Sequence, residues 1–378
     1  MEDIRHITPQ KLVRFLEEIG EKKFRATQIE EWLWKKGANS FDEMTNLSAP
    51  LRQKLSENFS FLNTAIDRQV QSSDSTAKFI FRLHDGREIE GVLIPTETRV
   101  TACISTQVGC AMGCKFCATG TMGFTRNLHF SEIFDQYMLM NRAAQELYGL
   151  SISNIVYMGM GEPLLNYDNV MRSIDLLTSP KFQGLSPSRI TLSTVGIAKG
   201  IKQLADDGFK PEVALSLHCA DELKRRERMP VTEHQTFEML QEALTYLYEK
   251  TGKRITIEYL LIKNWNDSVA DAKKLHRFCR NFPVKINLIE YNATGTEYQK
   301  SPEANVRAFI DFLESKNMVV NVRHSRGQNI DAACGQLVKR AELLEKAERL
   351  DKSVKKNDLT MKEIVEEGRK VRGKDQDE

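Results

Sequence analysis

The run Gly109-Cys-Ala-Met-Gly-Cys-Lys-Phe-Cys-Ala118 crowds three cysteines into one short loop with the spacing C-x3-C-x2-C. Three thiolates on such a segment can bind three irons of a [4Fe–4S] cube, which leaves the fourth iron without a protein ligand. An iron with an open coordination position can bind a small chelating molecule. The run therefore predicts a redox cluster held by Cys110, Cys114 and Cys117, with a ligand site beside it.

A structural zinc loop is the alternative interpretation of the same cysteines. Zinc sites usually add a second, distant pair of Cys or His to the first pair, and this chain has no second C-x2-C. The spacing resembles that of radical-SAM enzymes, whose open iron binds the amino and carboxylate groups of S-adenosylmethionine. Phe116 stands just before the third cysteine, where those enzymes commonly have an aromatic residue.

Length and composition predict a soluble intracellular enzyme. With 378 residues the chain exceeds one average domain, which favours a large domain with a smaller one attached. Seven cysteines, three of them in one loop, do not indicate an extracellular disulfide framework. The start is charged, and no apolar run approaches the ~20 residues that span a bilayer. We therefore expect no signal peptide, no membrane partner and a cytoplasmic location.

The formal net charge of +2 neither requires nor excludes a nucleic-acid partner, because phosphate binding depends on local basic patches. Any single cluster of basic residues is more typical of a solvated face. The candidate patches are Lys22-Lys23 with Arg25, Lys35-Lys36, Lys224-Arg225-Arg226 with Arg228, and the charged tail.

The sequence before residue 100 predicts two accessory segments. Residues 1–62 predict a helical domain, since apolar residues recur at i, i+3, i+4 and i+7 from Leu12 onward and Gly20 marks a helix end. This domain is either an RNA-docking module or a packing cap. Residues 63–99 predict a β-hairpin extension, in which His84-Asp85-Gly86 is the turn and residues 72–76 are a surface loop.

Strand and helix patterns alternate from residue 100 to residue 340. Such alternation predicts parallel strands with helical crossovers, and thus an α/β fold, a partial (β/α)6 radical-SAM barrel open on one side. The predicted strands lie at residues 100–106, 154–158, 189–193, 212–217, 254–262, 284–291 and 318–323. The predicted helices begin near Ser131, Asn166, Ile197, Phe237, Ser268 and Pro302. Residues 341–378 are rich in charge and predict a helix that fades into a disordered tail.

Polar residues and glycines stand where predicted strands end, which is where sites in such barrels gather. The segment Met158-Gly-Met-Gly-Glu-Pro163 follows the second strand, and its Glu162 can accept a hydrogen bond from an ammonium group. Ser193 ends the third strand, Ser216-Leu-His218 the fourth and Asn292 the sixth. Singly, such residues are more often loop caps. Together they predict a ring of hydrogen-bonding groups.

Two more cysteines are predicted near this ring. Cys334 lies in Asp331-Ala-Ala-Cys-Gly-Gln336 at the head of a predicted helix, whose N-terminus lowers the pKa of a thiol and makes it a better nucleophile. Cys103 lies on the first strand, near the predicted barrel mouth. Cys219 and Cys279 are interpreted as small, buried apolar residues.

These motifs, in this order, resemble the bacterial radical-SAM family that methylates carbon 2 of an adenine in large-subunit ribosomal RNA and in transfer RNA. The resemblance covers nearly the whole core, and the tail lies outside it. The matching stretches are Gln107 to Cys117, Gly123-Phe-Thr-Arg-Asn-Leu128, Met158-Gly-Met-Gly-Glu-Pro-Leu-Leu-Asn166, Leu192-Ser-Thr194, Ser216-Leu-His218, Lys285-Ile-Asn-Leu-Ile289 and Asp331-Ala-Ala-Cys-Gly-Gln336.

The resemblance implies a role for each site residue. The three loop cysteines hold one [4Fe–4S] cluster, Cys334 becomes S-methylated, and Cys103 is its redox partner through a transient disulfide. Glu90 aligns with the family's proton acceptor, although the strand pattern alone makes it an ordinary outward residue. The residues implied in S-adenosylmethionine binding are Gly161, Glu162, Ser193, Ser216, Leu217, His218 and Asn292.

The implied chemistry uses two molecules of S-adenosylmethionine per turnover. Carbon 2 of adenine is electron-poor and cannot attack a sulfonium methyl, so the new carbon must arrive as a radical. The first molecule methylates Cys334 by displacement. The second is cleaved to a 5′-deoxyadenosyl radical, which takes hydrogen from that methyl group, and the thiomethylene radical adds to carbon 2. The implied partners are 23S rRNA, tRNA and an electron donor such as flavodoxin, and the protein is expected to be a monomer.

Three other interpretations stay open at this point. The sister activity at carbon 8 of the same adenine shares every cysteine, although residues 120–126 and 161–166 look more like the carbon-2 branch. A radical-SAM activase that makes a glycyl radical in a partner protein needs no pair such as Cys103 and Cys334. A non-enzymatic RNA-binding zinc protein would contain neither iron nor sulfide.

Overall fold

A computed structural model of the chain describes residues 1–294 and 296–337, so the predicted tail at 341–378 lies outside the described residues. No helix in the described part has the length and apolar character needed to cross a membrane. The described strands are β1 (Glu2–Asp3), β2 (Phe59–Ser60), β3 (Ala65–Gln71), β4 (Ala77–Arg82), β5 (Glu88–Pro95), β6 (Val100–Cys103), β7 (Gln107–Gly109), β8 (Phe124–Asn127), β9 (Ile152–Tyr157), β10 (Ile190–Thr194), β11 (Glu212–Ser216), β12 (Ile255–Leu261), β13 (Val284–Glu290) and β14 (Val319–Arg323). The described α-helices are α1 (Pro9–Glu18), α2 (Phe24–Glu30), α3 (Ala49–Asn58), α4 (Ala118–Thr121), α5 (Phe130–Tyr148), α6 (Tyr167–Thr178), α7 (Ala198–Asp206), α8 (Glu222–Arg228), α9 (Phe237–Thr251), α10 (Val269–Phe278) and α11 (Glu303–Glu314).

Ten of these strands form one open sheet in the order β14-β13-β12-β11-β10-β9-β6-β5-β4-β3. The strands from β6 and β9 to β14 pair in parallel, and helices connect β9 to β14 as crossovers. All residues of β12 are buried, as expected in a sheet that is covered on both faces. The predicted α/β fold is confirmed, and each predicted helix start lies within one residue of an observed one.

Strands β3, β4 and β5 continue the same sheet from β6 in antiparallel order. The predicted turn at residues 84–86 joins β4 and β5, and Gly86 there has a φ of +77°. Residues 72–76 connect β3 and β4, and the predicted surface loop is confirmed at its exposed tip, residues 73–75, whereas Ser72 and Thr76 at its two ends are buried. The carboxylate of Asp74 accepts a hydrogen bond from the amide of Gly327 at 2.9 Å. The segment that covers this loop is therefore remote in sequence and invisible to local patterns.

The N-terminal helices pack against α5. A π-helical turn, Glu31–Lys36, continues α2 and ends at Gly37, which has a φ of +66°. The Trp34 ring meets the Phe134 ring edge-on at a centroid distance of 5.4 Å. Arg142 donates a hydrogen bond to the carbonyl oxygen of Gly37 at 2.8 Å. Aromatic burial and backbone hydrogen bonds thus join this segment to the core.

A buried ion-pair cluster fastens the start of the chain to α5. The Arg5 guanidinium lies 2.8 Å from a carboxylate oxygen of Asp3 and 2.7 Å from one of Asp135. Burial raises the pKa of Asp135, and the Arg5 charge opposes that rise. Removing the shared cation would leave two carboxylates in a region of low dielectric constant.

We predict that Arg5→Met lowers the free energy of unfolding by roughly 3–5 kcal/mol, because a buried pair that loses one partner leaves an uncompensated charge. Urea unfolding followed by circular dichroism measures the change. The matched control is Lys23→Met, which removes the exposed pair with Glu17 and should cost less than about 1 kcal/mol. Equal, small effects of both substitutions would contradict the prediction.

Candidate active site

The cluster loop begins where β7 ends and is fixed by close backbone packing. Gly109 has a φ of +76°, and a Cβ atom at this position would collide with the carbonyl oxygen of Gly123. The amide of Cys110 donates a hydrogen bond to the same oxygen at 2.8 Å. Only glycine fits at position 109, so the β7–β8 hairpin sets where Cys110 lies.

The three loop cysteines line one cavity of about 160 Å³ beyond the carboxyl ends of the parallel strands. Burial raises the pKa of all three thiols, to about 11 for Cys110. Within the described residues, no three His, Cys, Asp or Glu side chains are close enough to share a single metal ion. The thiols surround a space in which a cube can bind each of them at a different iron, and a cationic cluster would stabilise their thiolates. The donor set therefore fits a [4Fe–4S] cluster.

Glu162 forms the wall of this cavity after β9. Its carboxylate accepts hydrogen bonds from the amides of Val195 at 2.8 Å and Leu164 at 3.1 Å. Burial raises the pKa of Glu162 to about 7, against the effect of these hydrogen bonds. Gly161 has a φ of +106°, and a Cβ atom there would lie 2.6 Å from the Cβ of Gln107. A ligand with an ammonium group would favour the charged form of this carboxylate.

Polar groups at the ends of β10 and β11 line the same cavity. The hydroxyl oxygens of Ser193 and Ser216 are 3.1 Å apart. His218 has a φ of +56°, and its Nδ1 accepts a hydrogen bond from the amide of Leu260 at 3.1 Å. Burial, together with the nearby Arg225 charge, lowers the pKa of His218 to about 3. The ring is therefore neutral, with Nε2 as its donor.

The structure brings together all but one of the residues predicted to contact S-adenosylmethionine. Those that line the cavity are Gly161, Glu162, Ser193, Ser216, His218 and Asn292. Leu217 is fully buried in the hydrophobic core and is not among the lining residues. Its carbonyl oxygen accepts a hydrogen bond from the guanidinium of Arg225 at 2.9 Å.

Arg225 corrects the prediction of a basic surface patch on α8. It is fully buried, and its guanidinium donates to the carbonyl oxygen of Val195 at 2.7 Å and to the hydroxyl of Thr232 at 2.8 Å. Burial lowers the pKa of Arg225 to about 10. Sequence reasoning missed this role because Arg226 and Arg228 stand in the same helical turn. Nothing local distinguishes the buried arginine from its neighbours.

Cys334 lies between two cavities. It lines the first cavity with the cluster cysteines, and it also lines a second cavity of about 370 Å³, which Cys103 shares. The structure describes a turn at Cys334, and any helix beyond residue 337 lies outside the described part. Cys334 as a residue is exposed, yet the protein around its thiol desolvates it, so its pKa is raised and not lowered as expected, and the Arg323 charge only opposes that rise. Both Cys103 and Cys334 are free thiols here.

Contacts from the barrel side hold the turn that carries Cys334. The side-chain amide of Asn292 donates to the carbonyl oxygen of Cys334 at 3.3 Å and accepts from Gln328 at 2.9 Å. The amide of Ala118, in the cluster loop, donates to the carbonyl oxygen of Gly335 at 2.7 Å. The predicted cluster loop and the predicted nucleophile are therefore joined directly.

Glu90 is a buried residue, so the outward orientation expected from the strand pattern is wrong. It is 3% exposed, and its Oε2 lies 2.9 Å from the Nζ of Lys78. Glu90 stands two places before Val92 on β5, and Val92 pairs directly with Cys103 on β6. Alternate residues share a face of a sheet, so Glu90, Val92 and Cys103 face the same side. Val92 and Cys103 both line the second cavity.

Sequence reasoning also missed Glu258 and Lys78. Glu258 lines the first cavity, accepts a hydrogen bond from Asn287 at 2.8 Å and lies 3.5 Å from Arg323. It is the one charged residue of the mostly apolar strand β12, and a charge at such a position is a signal that can be found without a structure. Lys78 gives no comparable signal, since it stands at the start of a strand.

Comparisons with known proteins agree with this architecture. Residues 3–60 match the family model described as the ribosomal RNA large subunit methyltransferase N-terminal domain, and residues 104–276 match the radical SAM superfamily. A relative from Christiangramia forsetii, named probable dual-specificity RNA methyltransferase RlmN, is 47% identical over 90% of this chain and 97% of its own. A relative of the same name from Flavobacterium psychrophilum is 48% identical over 89% of this chain and 97% of its own. The crystal structure of a radical SAM methyltransferase from Sphaerobacter thermophilus is 37% identical, with a TM-score of 0.84, and the match covers 89% of this chain and 99% of that chain.

The chain has a sheet of parallel strands, and the three thiols of its C-x3-C-x2-C motif surround a cavity at the carboxyl ends of these strands. This combination, together with the family match, defines a radical SAM enzyme. The identity to the relatives extends over nearly their whole length and includes the N-terminal segment. The chain belongs to the RlmN family of dual-specificity RNA methyltransferases.

We predict that replacing Cys110, Cys114 or Cys117 by Ala abolishes iron and sulfide loading, because the cube loses one of only three protein anchors. Iron and sulfide analysis after anaerobic reconstitution measures the loss. Cys279→Ala is the matched control, since Cys279 is buried like Cys114 but lines neither cavity, and it should load iron normally. A full iron complement in any of the three loop variants would refute the ligand assignment.

Proposed function

We propose that this enzyme methylates carbon 2 of an adenine in 23S rRNA, near the peptidyl-transferase centre, and of the adenine 3′ to the anticodon in tRNA. The observation that carries the proposal is the position of Cys334, which lines both the cluster cavity and the cavity shared with Cys103. One sulfur can therefore receive a carbon on one side and deliver it on the other. The name dual-specificity RNA methyltransferase, carried by the relatives, supports two classes of RNA substrate.

The proposed cofactor site is the first cavity. The three loop cysteines would hold the [4Fe–4S] cluster, and the lining residues from Gly161 to Asn292 would hold S-adenosylmethionine, with Glu162 beside its ammonium group. When bound, the two groups supply a methyl carbon and the radical that activates it. Phe116 and Leu260 are buried lining residues of the cavity, so the chain itself keeps water from this site.

Cys334 is the proposed carrier of the methyl group. A thiol must lose its proton before it attacks a methyl carbon. The pKa of Cys334 is raised overall by desolvation, and the nearby Arg323 charge opposes that rise by stabilising the thiolate. Because Cys334 borders both cavities, the carried carbon needs no large movement of the backbone to reach a base in the second cavity.

Cys103 and Glu90 are proposed to complete the transfer from the second cavity. Glu90 takes the ring proton from carbon 2 of the adenine. The unpaired electron that the radical addition leaves on the base would pass to the cluster. The Cys103 thiolate then attacks the sulfur of Cys334. The bond from that sulfur to the transferred carbon breaks as the transient disulfide forms, and the carbon takes a proton as the methylated base leaves. Electrons from a donor such as flavodoxin restore both thiols. The shared face of β5 and β6 supports this division of roles, because it directs Glu90 and Cys103 to the same side of the sheet.

The basic lining of the second cavity supports an RNA substrate. Arg99, Arg323 and Arg326 line this cavity together with His324. An adenine in folded RNA must be unstacked and turned out before its carbon 2 can enter a protein, at a cost of about a few kcal/mol. Cationic groups around the opening would bind the flanking phosphates and offset that cost.

The test is methylation of a protein-free 23S rRNA fragment under anaerobic, reducing conditions. Mass spectrometry of the digested RNA should find 2-methyladenosine, whereas 8-methyladenosine would assign the enzyme to the sister reaction. Cys334→Ala should load iron and yield no methylated RNA. Cys103→Ala should accumulate protein joined to RNA through Cys334, since the last bond cannot break. Normal turnover of the Cys103 variant, with no crosslinked band on a denaturing gel, would contradict the resolving role.

We also propose that the N-terminal helical segment, residues 1–62, docks the body of the RNA. Its exposed lysines at Lys22, Lys23, Lys35 and Lys36 are suitable phosphate contacts. Deleting the segment is a poor test, because Trp34 and Arg5 pack against α5. Substitution of the surface charges avoids that problem.

We predict that changing these four lysines to Gln weakens RNA binding. The slope of log affinity against log salt concentration should also become shallower, by roughly 0.7 for each lost phosphate contact. Filter binding over a range of KCl concentrations measures both effects, and cleavage of S-adenosylmethionine should not change. The matched control changes four exposed lysines elsewhere in the chain to Gln, namely Lys199, Lys250, Lys273 and Lys316. The same loss of affinity in both variants would show a non-specific charge effect only.

A further inference from the structure

Lys78 is a buried lysine that contacts two parts of the proposed active site. Its side chain is 7% exposed, and its Nζ lies 2.9 Å from Oε2 of Glu90. The same Nζ donates a hydrogen bond to the carbonyl oxygen of Asp331 at 3.2 Å. Asp331 belongs to the turn that carries Cys334. Lys78 is thus a direct link between the proposed proton acceptor and the proposed methyl carrier.

The register of the sheet makes this link. Lys78 on β4 lies opposite Val92 on β5, and Glu90 is two places before Val92. Lys78 and Glu90 are therefore diagonal neighbours on one face of an antiparallel pair, where long side chains can meet. Because Val92 lines the second cavity, this is the covered face of the extension. A shift of one residue in register would turn both charges to the opposite face.

The backbone of Asp331, at the other end of the link, is in an uncommon conformation. Asp331 has a φ of +50°, a left-handed conformation that residues other than glycine adopt infrequently. Its carbonyl oxygen is the atom that Lys78 holds. A hydrogen bond from a charged group is stronger than one between neutral groups, so it helps to keep the turn in this conformation.

The two acceptors of Lys78 matter when the charge of Glu90 changes. If Glu90 takes a proton from the substrate, it becomes neutral and its attraction to the ammonium group weakens. The carbonyl oxygen of Asp331 stays in place as an acceptor, so the buried ammonium group keeps a hydrogen-bonding partner. Lys78 can therefore hold its position through both protonation states of Glu90.

We propose that Lys78 is a positioning residue for methyl transfer, which holds the Glu90 carboxylate on the face of β5 that borders the second cavity through Val92 and ties it to the turn of Cys334. This inference rests on the proposed function, and it adds a residue that acts through Glu90 on the second half of the reaction. Formation of S-methylcysteine at Cys334 should depend on it only weakly, because Asn292 and the cluster loop hold the turn of Cys334 through contacts that do not involve Lys78. Removal of the ring proton should depend on it.

The matched control is Asp74, which anchors the same loop without being part of the link to Glu90. Its carboxylate accepts a hydrogen bond from the amide of Gly327 at 2.9 Å. If Lys78 only anchors the loop, Asp74→Ala and Lys78→Met should have the same effect. If Lys78 acts through Glu90, only Lys78→Met should resemble Glu90→Gln.

The experiment compares Lys78→Met, Glu90→Gln, the double variant and Asp74→Ala in the reconstituted full-length enzyme. Mass spectrometry of the Cys334 peptide reports S-methylation, and a denaturing gel reports covalent protein–RNA adduct. We expect Lys78→Met to keep S-methylation, to accumulate adduct and to lower 2-methyladenosine formation by about 100-fold, as expected when a general base fails. Asp74→Ala should lower both steps together.

The double variant decides whether Lys78 acts through Glu90. If it does, the double variant should be no slower than Glu90→Gln. Because the double variant removes both members of the buried pair, it leaves no uncompensated charge, and the comparison stands even where Lys78→Met alone folds poorly. Two outcomes would overturn the inference and leave the proposed function intact. In one, the loss of activity in the double variant equals the product of the losses in the two single variants. In the other, Asp74→Ala keeps S-methylation and accumulates adduct as Lys78→Met does. Normal turnover of Glu90→Gln would instead refute the proton acceptor in the proposed function, and the inference with it.

Discussion

A single sulfur atom that borders two cavities is the constraint on which the rest of this structure depends. Cys334 lines the cavity of the cluster cysteines and the cavity of Cys103. A side chain stays at such a boundary only if the backbone on both sides of it is held. Here Asn292 bonds to the Cys334 carbonyl oxygen, the cluster loop bonds to Gly335, and Lys78 bonds to Asp331. The turn is thus tied to the barrel on one side and to the antiparallel extension on the other.

The antiparallel strands supply the half of the site that a parallel barrel lacks. They continue the main sheet from β6, so their covered face and that of β6 are one surface. Alternation along the strands brings Cys103, Glu90 and Lys78 to this surface. The parallel strands, in contrast, present their residues at their carboxyl ends, where the first cavity lies. Cys334 therefore borders one cavity at the carboxyl ends of the parallel strands and another on the face of the antiparallel extension.

Burial sets the charge state around the first cavity. It lowers the pKa of His218 to about 3 and raises that of Glu162 to about 7, and it raises the pKa of the cluster thiols. A neutral ring, a poorly solvated carboxylate and three thiols form a site in which charges are unfavourable until a partner arrives. Electrostatic interactions are strong in such surroundings. The site is therefore arranged to gain most from a ligand with an ammonium group and from a cationic cluster.

The sequence by itself determined the features that depend on short-range patterns. Cysteine spacing predicted the cluster loop, and β/α alternation predicted the parallel sheet, because neighbours along the chain set turns, helix starts and strand periods. The tertiary structure alone decided which residues are covered. Glu90 and Arg225 were predicted as surface residues and are buried, and the pKa of Cys334 is raised where a helix terminus was expected to lower it. Burial and contacts of this kind come from segments far apart in the chain, so no local pattern contains them.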